Sequence, residues 1–158
     1  MLCADHFADN LSTIRKESPE QLYKLHLNTW DALLKKGKDH SKLILINQSL
    51  DKLDIKSEQD VFELLMEYIK KRYPTAGPER DQAITKLLPN IRFIALRPEF
   101  VINEVEKNPM LAHLPITSQL VFETYKYRAL PDEYRKRLSF KTNIRGRSGF
   151  IELTFHMF

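Results

Sequence analysis

Five histidines, at positions 6, 26, 40, 113 and 156, and one cysteine, Cys3, are the residues of this 158-residue chain best suited to nucleophilic or metal chemistry. A zinc or catalytic site needs them paired at short spacing, as in His-Glu-x-x-His on one helix face. Here they are scattered. Asp5-His6 and Asp39-His40 are sequence neighbours, which puts each pair on different helix faces and makes neither a proton relay. A reactive thiol wants an electropositive setting, and Cys3 has none close by in the sequence. Glycines 37, 77, 146 and 149 are too dispersed to build a phosphate-cradling loop. The histidines are read as solvent-facing or capping groups. No catalytic group, metal or cofactor is expected.

One charged run carries a different chemistry. Between Lys126 and Arg147 stand eight cations (Lys126, Arg128, Arg135, Lys136, Arg137, Lys141, Arg145 and Arg147) against Asp132 and Glu133. Tyr125, Tyr127, Tyr134 and Phe140 are interleaved. Such a composition can grip a phosphate backbone and stack on bases. The plainer reading is a solvated helix end and a charged linker, because no recognised nucleic-acid motif accompanies it. The net charge of +4 and pI near 9.1 permit an anionic partner without requiring one. Nucleic acid is therefore kept as the alternative, through residues 126–147, and not as the expected partner.

The elements that would position these residues are helical. Four glycines are too few for a turn-rich β fold, and Leu, Lys and Glu recur with helical period. Leu2, Phe7, Leu11 and Ile14 share one face of a first helix that begins without a cap. That uncapped start predicts a fragment or a gene truncated upstream, with Leu2, Phe7 and Leu11 turned toward a partner. Ser18 with Pro19 and Gln21 predicts a capping box. Asn28 is expected to cap a helix that buries Trp30, Leu33 and Leu34. Residues 38–56 are irregular, and "KLILI" could be a strand or a loop.

From Ser57 the pattern is explicit. Ser57 is the N-cap, Glu58 and Asp60 sit at the positive end of the helix dipole, and Lys70, Lys71 and Arg72 sit at the negative end. Val61, Phe62, Leu64, Leu65, Tyr68 and Ile69 form the apolar face, Glu67 is expected to pair with Lys71, and Pro74 stops the helix. Further helices open at Pro78, burying Ala83, Ile84, Leu87 and Leu88, and at Pro98, burying Phe100, Val101 and Val105. The last strong helix, 116–130, is expected to bury Leu120, Val121 and Tyr125, with Phe122 as a further candidate, and to end at Leu130-Pro131. "SFKTNIRGRSG" reads as linker, and "FIELTFHMF" alternates like a first strand. The expected organisation is a helical domain over 2–137, a basic linker over 138–149 and the start of a β-rich domain over 150–158.

The order of these blocks resembles the BACK domain, the helical module that follows a BTB/POZ domain in BTB–BACK–Kelch proteins. The matching residues are Ser57, Glu58, Val61, Phe62 and Ile69, then Leu87, Leu88, Ile91 and Arg92, then Glu123, Tyr127, Leu130 and Pro131, then Arg145 and Arg147. Tyr68 stands where the family carries a Trp. The interval from Leu33-Leu34 to Ser57-Glu58 is about a dozen residues longer than the family pattern, and "FIELTFHMF" lacks the Gly-Gly of a Kelch blade. The BTB domain and the short helices that help hold a cullin are expected to be missing.

The resemblance implies an all-α, antiparallel helical-hairpin bundle with no enzymatic activity. It implies a rigid scaffold in a cullin-RING ubiquitin ligase adaptor, placing a bound substrate relative to the ubiquitin-carrying machinery. The implied partners are proteins: a BTB domain, a cullin through the parent protein, and a ubiquitylation substrate. No apolar run approaches the ~20 residues of a membrane span. No basic-then-apolar leader opens the chain, and a lone cysteine fits a reducing compartment, so a cytoplasmic or nuclear, non-secreted protein is expected. Arg92, in the apolar context "NIRFIAL", is expected to be partly buried against carbonyls or a carboxylate.

Overall fold

The computed structural model describes residues 10–36 and 57–139. They form eight α-helices joined by tighter and looser turns: α1 (Leu11–Glu17), α2 (Pro19–Tyr23), α3 (Leu27–Lys36), α4 (Glu58–Arg72), α5 (Pro78–Leu87), α6 (Pro98–Phe100), α7 (Pro115–Ala129) and α8 (Asp132–Ser139). Two 3-10 turns, Leu88–Asn90 and Phe93–Ala95, separate α5 from α6, and α6 runs on as a π-helix over Val101–Glu106. There is no strand among the described residues. The fold is all-α. Leu2, Phe7, Cys3, "KLILI", residues 140–149 of the expected linker and the 150–158 tail lie outside the described residues, while residues 138 and 139, expected to begin the linker, complete α8.

Hydrophobic period and punctuation explain most of this. Proline opens α2, α5, α6 and α7 at the position where its missing N–H costs nothing. Ser57 caps α4 as its sequence requires: its Oγ accepts from the Asp60 N–H at 3.1 Å and donates to the Asp60 carboxylate at 2.6 Å. The centre of the fold is α4, which buries Val61, Phe62, Leu64, Leu65, Met66, Tyr68 and Ile69. Helix α2 packs on α4, α5 packs on both α3 and α4, and α7 packs on the 3-10 turns and the π-helix. Trp30, Leu33 and Leu34 of α3 and Ala83, Ile84 and Leu87 of α5 close one continuous core.

Several local expectations are corrected. Ser18 makes no side-chain cap; its carbonyl, accepting from the Gln21 N–H at 3.0 Å, turns the chain from α1 into α2. Asn28 lies inside α3, because the His26 carbonyl already accepts from the Thr29 and Trp30 amides. Asn28 Oδ1 accepts instead from Lys86 Nζ at 2.6 Å. Glu67 pairs with Arg15 at 2.8 Å, across 52 residues of sequence. The Tyr23 hydroxyl approaches the same carboxylate at 3.5 Å, so Glu67 ties α1 and α2 to α4. Leu11 is fully buried in the core rather than presented outward.

The largest correction concerns α7. Val121 is buried, but Tyr125 is 36% and Phe122 67% exposed. The inward face is Thr117, Val121 and Thr124, with Ile116 and Leu120 partly buried against the core beside them. Small and branched residues fill this contact, and the rings of Phe122 and Tyr125 fall outside it. Thr124 satisfies its hydroxyl locally, donating to the Leu120 carbonyl at 2.7 Å.

Candidate functional site

The family-signature residues fall into three places. Ser57, Glu58, Val61, Phe62, Ile91 and Arg92 gather around the first turn of α4. Tyr68 lies two turns further along the same helix, and Tyr127 and Pro131 lie at the α7–α8 junction. The first group is the one that could act as a unit.

Its centre is an ion pair. Arg92 Nη2 stands 2.9 Å from Glu58 Oε2, with side-chain exposures of 6% and 2%. Glu58 Oε1 also accepts from the Arg92 backbone N–H at 2.9 Å. A carboxylate in the first turn of a helix sits in the positive field of the helix end, which offsets part of the cost of burying it. Arg92 lies between the two 3-10 turns, outside any helix, and its backbone N–H donates to Glu58. Val61, Phe62, Ile91 and Phe93 are buried beside the pair, and Phe62 meets Phe100 edge-on at 5.4 Å. Arg97 Nη2 donates to Gln59 Oε1 at 3.1 Å, a second clasp between the same segments. The arrangement locks the start of α4 to residues 91–97. With both charges sealed from solvent and spent on each other, neither is available to a substrate.

Tyr68 anchors a second cluster. Its ring lies 4.7 Å from Trp30 and 6.3 Å from Tyr73, and its hydroxyl donates to the Leu25 carbonyl at 3.2 Å. Burial and the neighbouring Tyr73 hold that hydroxyl protonated well above the usual tyrosine range. Trp30 Nε1 donates to the Leu22 carbonyl at 3.0 Å, so both aromatics stitch α2 to the core while satisfying their polar atoms. Tyr127 is half-buried, and burial pushes its hydroxyl pKa up. Pro131 is exposed, and its carbonyl accepts from the Tyr134 and Arg135 amides to start α8.

Sequence reasoning missed other long-range contacts. Asp31 accepts from Lys35 Nζ at 2.7 Å and from the buried Asn90 Nδ2 at 3.0 Å. Burial would raise the Asp31 pKa, but the hydrogen bonds from Lys35 and Asn90 outweigh it and hold it below the ordinary carboxylate value. His113 Nε2 stands 3.2 Å from Asp81 Oδ1, joining α5 to the turn before α7. No spacing rule links residues 59 apart, such as Asp31 and Asn90.

Within the basic run, Arg128 turns inward to donate to the Leu96 carbonyl, half-buried, and Arg135 pairs with Asp132. Among the described residues no group of three or more His, Cys, Asp or Glu could hold a metal ion.

The segment that carries the clasp is also the segment that known proteins share. Residues 39–106 match the family model described as BACK, BTB And C-terminal Kelch. Over those residues the chain resembles a BACK domain. Kelch-like protein 17 from Mus musculus and Kelch-like protein 17 from Rattus norvegicus are each 27% identical to it over 92 residues, 58% of this chain. The chain matches 14% of the length of those relatives. No solved structure matches it. The BACK-matched stretch takes in α4, α5, both 3-10 turns, α6 and the π-helix, so the Glu58–Arg92 clasp lies wholly inside it. No helix among the described residues is long and apolar enough to cross a membrane.

Proposed function

We propose that the chain is a non-catalytic spacer within a BTB–BACK-type substrate adaptor for a cullin-RING ubiquitin ligase, acting in the cytoplasm or nucleus. It orients a substrate-binding domain relative to the ligase. The observation that carries this reading is the sealed Glu58–Arg92 pair at the centre of the BACK-matched segment. A buried ion pair is weak evidence for net stability, but breaking it is costly. Such a pair therefore fixes how α4 meets the 91–97 turns. A spacer must hold one geometry, because a flexible connection spreads the distance between its ends. The stitched core from Trp30 to Val121 serves the same end. The 27% identity to Kelch-like protein 17 supports the same family context.

The test is recovery of the ligase. The protein is tagged at its own locus, precipitated from cells, and probed for a cullin and for polyubiquitylated co-precipitating protein. Both are expected. Recovery without any cullin overturns the reading. The alternative, nucleic-acid binding through 126–147, is disfavoured by the engagement of Arg128 and Arg135 within the protein. Salt-steep binding of single-stranded nucleic acid at physiological ionic strength would restore it.

A further inference from the structure

A cavity of about 290 Å³ opens between the end of the π-helix and α7. Its walls include Glu106, Thr117, Ser118, Val121, Phe122 and Tyr125. This volume lies at the lower edge of small-molecule sites, roughly 300–1,000 Å³, so it suits one long side chain. Three observations bear on what that side chain is. First, none of the lining residues is cationic, and one is a carboxylate. Glu106 closes the π-helix, and burial together with the nearby Glu106 carboxylate pushes the Tyr125 hydroxyl pKa up, so the two groups are neighbours at the cavity. Second, Phe122 and Tyr125 stand three residues apart on α7 and are exposed large aromatics; ring faces attract cations. Third, Thr117 is 3% exposed, and its hydroxyl is buried without a hydrogen-bond partner. Orphaned buried hydroxyls are rare in folded proteins, so this wall of the cavity is imperfectly satisfied in the free chain. The π-helix beside the cavity is itself an uncommon element that recurs at functional sites.

We propose that this cavity is a docking site for an arginine side chain of a partner polypeptide. The guanidinium pairs with Glu106 and lies against Phe122 or Tyr125. Its methylene stem covers Val121. Arginine suits the site better than lysine because its planar, weakly hydrated head both stacks and forks. The proposal rests on the cavity alone and stands whether or not the spacer reading holds.

The ¹⁵N-labelled chain is titrated with the pentapeptide acetyl-Ala-Ala-Arg-Ala-Ala-amide and followed by NMR. Matched peptides carry citrulline, which keeps the shape without the charge, or norleucine, which keeps only the stem. Shifts are expected at Glu106 and across 117–125, with both matched peptides binding about tenfold more weakly. Glu106→Gln should weaken the arginine peptide and leave the norleucine peptide unchanged, with the spectrum elsewhere intact. Thr117→Val should raise the thermal midpoint by removing an orphaned buried group, and leave arginine-peptide binding in place. Equal binding of the three peptides, shifts centred elsewhere, no binding at all, or an arginine peptide indifferent to Glu106→Gln would each overturn the proposal.

Discussion

Helices α4 and α7 are both 15 residues long, and both carry aromatic and branched apolar residues, yet they are used in opposite ways. Helix α4 turns Phe62 and Tyr68 inward and ends its polar atoms on specific partners. Helix α7 turns Phe122 and Tyr125 outward and packs through two threonines and a valine. Composition does not separate the two; the neighbours do. Helices α2 and α5 pack along α4, whose rings enter the core. Helix α7 lies against the 3-10 turns and the π-helix, with Thr117, Val121 and Thr124 buried and Ile116 and Leu120 partly buried against the core. The α4 side is built to hold a geometry, and the α7 side leaves large apolar groups in solvent, the usual mark of a surface awaiting a partner.

The sharpest way to break this contrast is to attack the clasp of α4. Arg92→Ala leaves the Glu58 carboxylate buried without its counter-charge and is expected to cost about 3–5 kcal/mol, read as a large fall in thermal midpoint. Replacing both members with leucine should recover most of the loss, because the penalty comes from the charge left alone. An Arg92→Ala protein with an unchanged midpoint would mean that the start of α4 is held by apolar packing only.

A finer probe of the same side is Tyr68→Phe. It keeps the stack on Trp30 and removes only the hydroxyl that donates to Leu25. The expected loss is about 0.5–1.5 kcal/mol, plus any penalty for a carbonyl left dry. Indifference to the change would show that water reaches the Leu25 carbonyl and that the α2 contact is looser than the stack suggests.

How much of this was legible beforehand follows the same division. The α4 boundaries, its cap and its inward residues could be read because each rests on neighbours within a turn or two: Ser57 with Asp60, or the i, i+3, i+4 face from Val61 to Ile69. The partners of its charges are legible only in part. Helix spacing pairs Glu67 with Lys71, but Arg15 reaches it through space from a helix that no local rule places there. Arg92 in its apolar context reads as buried against carbonyls or a carboxylate, and that carboxylate is Glu58. Helix α7 misled more deeply. Its rings were assumed to seek the core, as apolar residues generally do. Which face turns in is decided by the opposing surface, and that surface includes the π-helix, for which the sequence carries no signal.

Acid should also distinguish the regions. The Asp31 carboxyl is held below its ordinary value by Lys35 and Asn90, so the ionised form is the one the fold prefers. The stability it adds is present above the unfolded carboxylate pKa of about 4 and is lost as pH falls through the lower folded value. Asp31→Asn should therefore lower stability at neutral pH and narrow toward the parent as the solution is acidified below that range. A gap that stays constant down to pH 2 would assign the effect to packing and not to charge.

The smallest expected change is the one that tests the outer side. Phe122→Ser removes a ring that is 67% exposed, so its effect on unfolding should fall within about ±0.5 kcal/mol. Solubility should improve, since an exposed ring goes and nothing beneath it is uncovered. If instead the midpoint falls by as much as for Tyr68→Phe, the ring is sheltered in solution and α7 packs by its aromatic face after all. The contrast between the two helices would then be one of degree, and the Glu106–Thr117 cavity would be closed from the side where a partner has to enter.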